Sequence, residues 1–431
     1  MVKNDKKKGT NGAPHIAILG GGFAGISAAK QLAKAPVRIT LVDKENHHLF
    51  QPLLYQVATA GLSAADIAEP LRHIFANQKN LATIMDTVVT IDLASKEVEL
   101  SKDKLSYDYL IVALGASTGY FGNNHWSQYA SGLKTLDEAT ELRRRILLAF
   151  EQAEIAKTKE EADRHMNFIV IGGGPTGVEM AGAIAELAHH VFAGEYRNID
   201  TTRANVHLIE AGPKLMPAFK ERQSDYTARR LEKMGVTVHL NTKVSDITVD
   251  KVIAGDQSFE VGTVIWAAGV EGNAVARKMQ SLELDRAGRV FIDTDLNIPG
   301  HKNVFVAGDL ANLKDAKGKI VPGLAPAAMQ MGKHAAKQIL CDLKEQKRQP
   351  FVYFDKGNMA TIGRSSAVAE VGKLAIRGYP AWLAWLFVHL IFLIGLRNRI
   401  SVFIQWVWSY IAWHRGARII TKKLPSDQSP N

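Results

Sequence analysis

The sequence predicts an α/β fold with two Rossmann-like dinucleotide-binding domains and a C-terminal segment of apolar helices. Three observations predict it. A strand, glycine turn, helix and strand unit at His15–Asp43 returns about 150 residues later, at 165–210. In each copy the second strand runs into an acid, Asp43 and Glu210. From residue 380 onward the chain turns to tryptophans, aliphatics and arginines, with no acid before Asp427.

In chain order, His15–Leu19 (HIAIL) is a short continuous apolar run, the pattern of a buried parallel strand. Gly20, Gly21, Gly22 and Gly25 follow at once; residues 23–34 carry small and apolar side chains at helical spacing, and Val37–Val42 is a second strand. Residues 81–93 and 96–100 are strand-rich, and Tyr109–Gly115 is an apolar strand meeting a glycine. Residues 136–164 read as one long polar helix or a pair. The second unit runs from the strand Met166–Ile171 through Gly172, Gly173, Gly174 and Gly177 to a helix over 178–190 and the strand Val206–Ile209. Val264–Gly269 is its strand meeting a glycine. Residues 303–309 form a further buried strand ending in Gly308-Asp309, and 325–343 a helix.

The glycines have three separate jobs. The first (Gly20, Gly172) makes the tight turn, the second (Gly22, Gly174) lets a pyrophosphate approach the backbone, and the third (Gly25, Gly177) lets helix and strand pack closely. The phosphates then meet a helix N-terminus, whose free N–H groups and dipole favour negative charge. The acid beyond the next strand bonds ribose hydroxyls. A carboxylate at Glu210 accepts from a free 2′-hydroxyl and repels a 2′-phosphate, so the second site is expected to prefer NADH over NADPH, with Arg203 as a nearby complication. One such turn is weak evidence. Two, each with strand, helix and acid in place, leave two packing turns in an α/β sheet as the poorer account.

Composition narrows the chemistry. The chain has 431 residues, 22% charged and 46% hydrophobic, an ordinary globular balance. A single cysteine, Cys341, excludes a disulfide within the chain and every redox-active cysteine pair. The net charge of +10 is confined to the ends: residues 1–8 carry +3, residues 372–425 carry +8, Asp427 subtracts one, and 9–371 are neutral. Nucleic-acid binding needs basic residues on a folded face, so it is not expected. Residues 1–12 are polar and unlike a secretory signal, and are read as a disordered tail. The adjacent pairs His47-His48 and His189-His190 splay rather than chelate, and no metal site is expected.

With these residues in view, the chain resembles the glutathione-reductase-like flavoproteins, in which the first glycine site holds FAD and the second NAD(P)H. Within them it resembles the type II (non-proton-pumping) NADH:quinone oxidoreductases. The likeness is carried by His48–Thr59 (HLFQPLLYQVAT), Gly172–Glu179 (GGGPTGVE), Val264–Val270 (VIWAAGV) and Phe305–Leu310 (FVAGDL), and extends over about residues 14–420. The resemblance implies FAD and NADH as cofactor and substrate. It implies that Gly20, Gly22, Gly25, Asp43, Gln56, Ala113, Gly115, Asp309 and Ala328 hold FAD, and that Gly172, Gly174, Gly177, Glu210 and Gly269 hold NADH. Glu179 matches the family's acid near the reacting rings. The family's Ala-Gln-x-Ala-x-Gln helix start matches Ala325–Gln330 with Pro326 in place of the first glutamine, which leaves Gln330 as the candidate on the quinone side. Proline suits a first helical turn but donates no side-chain hydrogen bond.

The C-terminal runs 381–396 and 400–413 are read as two amphipathic helices interrupted by Arg397 and Arg399. Sixteen residues span about 24 Å, short of the ~30 Å hydrocarbon core. Five tryptophans (Trp382, Trp385, Trp406, Trp408, Trp413) suit an interfacial belt, and Arg415, Arg418, Lys422 and Lys423 suit an anionic lipid surface. Ser401, Gln405 and Ser409 form one narrow polar stripe. The favoured reading is a membrane-associating pair lying in one leaflet, against a short span or a buried dimer interface. Domains are therefore expected at 13–125 with 285–345 (FAD), 126–284 (NADH) and 346–431 (membrane-binding). The expected activity is NADH oxidation with reduction of a membrane quinone and no proton pumping, by a monotopic protein on the cytoplasmic face of the inner or plasma membrane. A homodimer is left open. The rivals are a reductase of a soluble acceptor, a sulfide:quinone oxidoreductase, which lacks its cysteines here, and a non-catalytic FAD/NADH-binding membrane adaptor.

Overall fold

The computed structural model describes residues 12–279, 282–413 and 415–420. Most of the proposed N-terminal tail, together with Lys422 and Lys423, lies outside the described residues. The chain divides into two compact units. The first takes in the chain up to His48, Glu69–Ser117 and Val270–Lys356; the second takes in Leu49–Ala68, Thr118–Gly269 and the chain from Gly357 onward.

The first unit is built on a six-stranded sheet. Its order is Asn297–Ile298, His301–Val306, Tyr109–Val112, His15–Leu19, Arg38–Asp43 and Leu81–Met85, parallel except at the Asn297–Ile298 edge. His15–Leu19 is buried along its whole length because it is the inner strand, covered on both faces, which is why its sequence shows no alternation. The helix after the glycine turn, Phe23–Gln31, ends before the expected Lys34. The helix Ala325–Leu343 packs on it backbone to backbone: a Cβ on Gly332 would lie 2.0 Å from the Ala24 carbonyl oxygen. Residues 88–106 form a small antiparallel sheet.

The second unit repeats the plan. Ala130–Ser131, Thr263–Trp266, Asn167–Ile171, Asn205–Ile209 and Val236–His239 form a parallel sheet in that order. Residues 136–164 are two helices, Leu136–Glu154 opened by a Thr135/Glu138 capping box and Lys159–His165 capped by Thr158. The glycine-turn helix is Pro175–Glu186, with proline in its first turn and a π-helical turn, Leu187–Val191, extending it. Gly182 on this helix faces Ile362, whose carbonyl oxygen would lie 2.0 Å from an added Cβ. Ile362 belongs to a three-stranded antiparallel sheet, Asn358–Gly363, Ser366–Val371 and Leu374–Gly378, which leads into the C-terminal helices.

Those helices are Tyr379–Phe392 and Leu396–Ala412. The break falls at Leu393–Gly395, where Gly395 takes φ +88, so Arg397 and Arg399 open the second helix rather than separating the two. The polar stripe is a docking seam. Ser401 Oγ and the Gln405 amide donate to the Asp66 carboxylate at 2.8 and 2.9 Å, and Asp66 is also held by Ser63 at the start of the short helix Ala64–Ile67. Burial works against the Asp66 charge, but these donors outweigh it and hold the carboxyl below its ordinary range. Replacing Asp66 by alanine is expected to cost about 2–3 kcal/mol, since it strands buried donors on the helix. In the wild type this contribution is full above the ordinary carboxylate pKa and is lost as pH falls through the depressed value. Thermal denaturation of both proteins at pH 7 and pH 3.5 checks this, with the difference shrinking at the lower pH.

Candidate functional site

The two glycine turns have the same geometry. Gly20 and Gly172 take φ +105 and +112, and an added Cβ would lie 2.2 Å from Ala113 O and 2.8 Å from the Ala267 carbonyl carbon, so neither tolerates a side chain. Gly25 and Gly177 press on the turn itself, with an added Cβ 1.9 and 1.8 Å from the carbonyl oxygens of Gly20 and Gly172. Around Gly22 and Gly174, by contrast, an added Cβ meets nothing within 4 Å. This open space lies at the N-terminus of each helix and at the point where the sheet order reverses, a place with the room and the free N–H groups that a pyrophosphate needs.

The acids are held alike. Asp43 accepts from Gly21 N at 2.5 Å and Glu45 N at 2.7 Å; Glu210 accepts from Gly173 N and Gly212 N, each at 2.6 Å. Burial pushes the Asp43 carboxyl up from its ordinary value. Arg203 makes a two-pronged pair with Asp163 at 2.7 and 2.9 Å, so that guanidinium is already engaged by a carboxylate.

The first cradle also contains an orphaned atom. His48 is buried; its Nδ1 lies 3.0 Å from Gly21 O, and its Nε2 has no partner among the described residues. Burial pushes its pKa down to about 4, so the ring is neutral. With Nδ1 donating to the carbonyl, Nε2 presents a lone pair suited to a ribose or ribityl hydroxyl. The open Gly22 cradle, the Asp43 carboxylate and this lone pair together fit the phosphate and sugar part of FAD. In the same unit Ala113 N donates to Leu19 O, Gly115 takes φ +67, Ala328 packs beneath Gly308, and Asp309 faces Gly323. Gln330 is committed locally: its amide donates to Pro326 O and Phe354 O and accepts from Phe354 N, at 3.0–3.1 Å.

The second unit holds a cavity. Glu179 lines it from the helix Pro175–Glu186, Tyr55 and Gln56 from the helix Leu54–Ala58, and Trp382, Trp385 and Trp406 from the C-terminal pair. Among the described residues the Glu179 carboxyl has one weak hydrogen bond, from Thr361 N at 3.4 Å, and burial pushes it up to about 8. Glu186, seven residues on and so near the same helix face, lines the cavity too and is paired with Arg415 at 3.4 Å. Arg415 also donates to Thr59 O at 2.7 Å. Of the two carboxyl groups on this helix, Glu179 is the one fitted to carry a proton at neutral pH.

This cavity revises two sequence expectations. The tryptophans do not form a belt: Trp385 is buried, stacks on His389 at 4.1 Å and tilts on Trp406 at 5.7 Å, and Trp382 packs on Tyr410, because these rings fill the cavity wall. Among the five, Trp408 is the well-exposed one, at 60%. Nor do Arg415 and Arg418 face outward, since Glu186 and Glu195 draw them onto the protein. The exposed face of the helix pair is instead aliphatic and phenyl, with Phe387, Leu396, Phe403 and Ile411 all more than half exposed. Among the described residues, no helix is long and apolar enough to cross a membrane.

Glu186, Arg364, Trp406 and Arg415 were not singled out from sequence as site residues. Glu186 was signalled by its spacing from Glu179; Arg415 was hidden within an apparently uniform basic tail.

Comparison with known proteins agrees with this geometry. Residues 14–332 match the family model of pyridine nucleotide-disulphide oxidoreductases, and 356–412 match the NDH2 C-terminal domain. The chain is similar to two proteins of Mycobacterium tuberculosis, the type II NADH:quinone oxidoreductases Ndh (42% identical, covering 94% of this chain and 90% of the relative) and NdhA (43% identical, 98% and 93%). Its fold is similar to that of NDH2 from Plasmodium falciparum in complex with NADH, with a TM-score of 0.87, 20% identity and coverage of 94% of this chain and 99% of that one.

Proposed function

We propose, on the premise that the chain belongs to the type II NADH:quinone oxidoreductases, that it oxidises NADH and reduces a membrane quinone by two electrons without pumping protons. The carrying observation is the cavity of the second unit, where a protonatable Glu179 from the NADH-binding fold meets the tryptophans of the apolar helix pair. FAD, when bound, supplies the two-electron chemistry that accepts hydride from NADH and returns the electrons to the quinone. Gly20, Gly22, Gly25, Asp43, His48, Gln56, Ala113, Gly115, Asp309 and Ala328 are assigned to hold it. Gly172, Gly174, Gly177, Glu210 and Gly269 are assigned to bind NADH.

A quinone that takes two electrons also takes two protons. Glu179, neutral at pH 7, gives one to a quinone oxygen and regains it from solvent, and the second proton comes from solvent directly. Gln330 acts as a positioning residue, fixing Phe354 through its two backbone hydrogen bonds. Glu210 selects NADH. Replacing Glu210 by glutamine removes the charge that repels a 2′-phosphate, and the preference for NADH over NADPH in kcat/KM is expected to fall by about 10-fold. Steady-state assays with both nucleotides check this.

The protein associates with the membrane. On this reading it does so peripherally, with the exposed apolar face lying in one leaflet on the cytoplasmic side of the inner or plasma membrane and the exposed Arg397 and Arg399 beside it favouring anionic lipid. A second copy of the chain is the competing occupant of that face, and light scattering in detergent separates the two. The function is tested by NADH-dependent reduction of a short-chain quinone by the purified protein; flavin reduced by NADH and left reduced by quinone refutes it.

A further inference from the structure

Several hydrogen-bond donors of the cavity wall have no acceptor among the described residues. Trp406 Nε1–H donates to Gln56 Oε1 at 2.8 Å, and Gln56 Nε2–H donates to the Tyr55 hydroxyl oxygen at 2.9 Å. An indole nitrogen only donates, so the amide oxygen must face Trp406 and the amide nitrogen must face Tyr55. The tyrosine therefore accepts from Gln56, and its own proton is left with no acceptor among the described residues. Trp385, whose ring lies 6.4 Å from that of Tyr55, has a buried Nε1–H without a partner among the described residues. Arg364, clasped between the rings of Tyr410 and Trp413 at 4.2 and 3.9 Å, likewise has a buried Nη1 without a partner among the described residues. All three residues line the same cavity. Buried donors are seldom left unmade, so this wall is built for a ligand rich in acceptors and poor in donors, such as a dicarbonyl ring.

We propose that the Tyr55 hydroxyl is the hydrogen-bond donor that receives a carbonyl oxygen of the quinone, aimed by Gln56 and, through it, by Trp406. The inference rests on the quinone reductase reading above and adds to it the residue that recognises the acceptor. A hydrogen bond to that oxygen strengthens as negative charge develops on it during reduction, so it favours the transition state over the ground state. The donor keeps its proton throughout. Burial first, and then the charge of Glu179, push the phenol upward, while Gln56 and Arg415 work in the other direction and Glu186 adds to the rise. Trp406 belongs to the last helix, Leu396–Ala412, whose outer face is apolar, so the aim of the donor depends on the seating of that helix. Trp406 and Gln56 are positioning residues, and Tyr55 is the group that touches substrate.

The test compares two acceptors with the detergent-purified, flavin-loaded protein: a short-chain benzoquinone, and ferricyanide, which takes one electron and no hydrogen bond. Tyr55→Phe keeps the ring that packs on Trp385 and removes the proton. It is expected to lower kcat/KM for quinone relative to ferricyanide by about 10- to 100-fold. Trp406→Phe is expected to lower the ratio in the same direction by a smaller factor, and keeps the proposal testable should the tyrosine variant fold poorly. Ratios within twofold of wild type in both variants overturn the proposal, as does a parallel fall with both acceptors. Wild-type protein that turns over NADH with ferricyanide and never with quinone overturns the function and this inference together.

Discussion

Replacing Glu179 by glutamine is expected to lower quinone turnover by about 100-fold and to flatten its alkaline pH limb. The carboxyl lies in the cavity with a single weak donor, and burial alone pushes it up to about 8. Below that pH it carries a proton to give. Above it the group is an anion, and the rate of the acceptor half-reaction falls as pH rises through about 8. Glutamine keeps the shape and stays neutral at every pH, but it has no acidic proton, so the variant is slow at pH 7 and equally slow at pH 9. Rates of flavin reoxidation by quinone across pH 6–10 show this. Stability changes in the matching direction. A carboxyl whose folded pKa is raised stabilises the fold fully below its unfolded value near 4.5, and that contribution is lost as pH rises through about 8. Glu179→Gln should therefore remove a loss of stability of a few kcal/mol that the wild type suffers between pH 5 and pH 9, a difference that thermal scans at the two pH values report.

Replacing Phe387, Leu396, Phe403 and Ile411 together by serine is expected to reduce binding to lipid vesicles by about 1000-fold. The four side chains are 67%, 73%, 53% and 72% exposed, so the fold loses little by their removal. Seated in the headgroup and acyl boundary, each contributes roughly 1 kcal/mol, a part of the 1.5–3 kcal/mol of full burial, and four together give about three powers of ten. Co-sedimentation with vesicles measures it. If the face lies on lipid, binding is lost on neutral and anionic vesicles alike, while turnover of a short-chain quinone in detergent persists, since none of the four lines the cavity. Unchanged co-sedimentation assigns the face to a second copy of the chain.

Much of this was legible before any coordinates. Local chemistry marks the two cradles: a glycine forced to φ +105 or +112, one pressed against a carbonyl and one left open must follow a buried strand and open a helix, so motif and geometry coincide. Glu179 was legible through resemblance, although the environment that lifts its carboxyl was not, because burial is a property of distant chain segments. The C-terminal segment shows the limit most clearly. Its tryptophans and arginines have the composition of a membrane anchor, yet Trp385, Trp406 and Arg415 point inward to Tyr55, Gln56 and Glu186. Composition reports what a segment contains, and only packing against residues more than 200 positions away decides which face each side chain takes. The stripe of Ser401 and Gln405 was visible as a periodicity, but its partner Asp66, some 335 residues earlier, was not.

The most direct measurement follows the flavin. The purified protein is kept anaerobic, NADH or NADPH is added, and the absorbance of the bound flavin is recorded before and after a short-chain quinone. Bleaching by NADH at concentrations where NADPH is ineffective, and full recovery of the oxidised spectrum on adding quinone, are expected. Protein that binds no flavin, or flavin that NADH does not bleach, contradicts the proposed function and leaves a nucleotide-binding membrane adaptor.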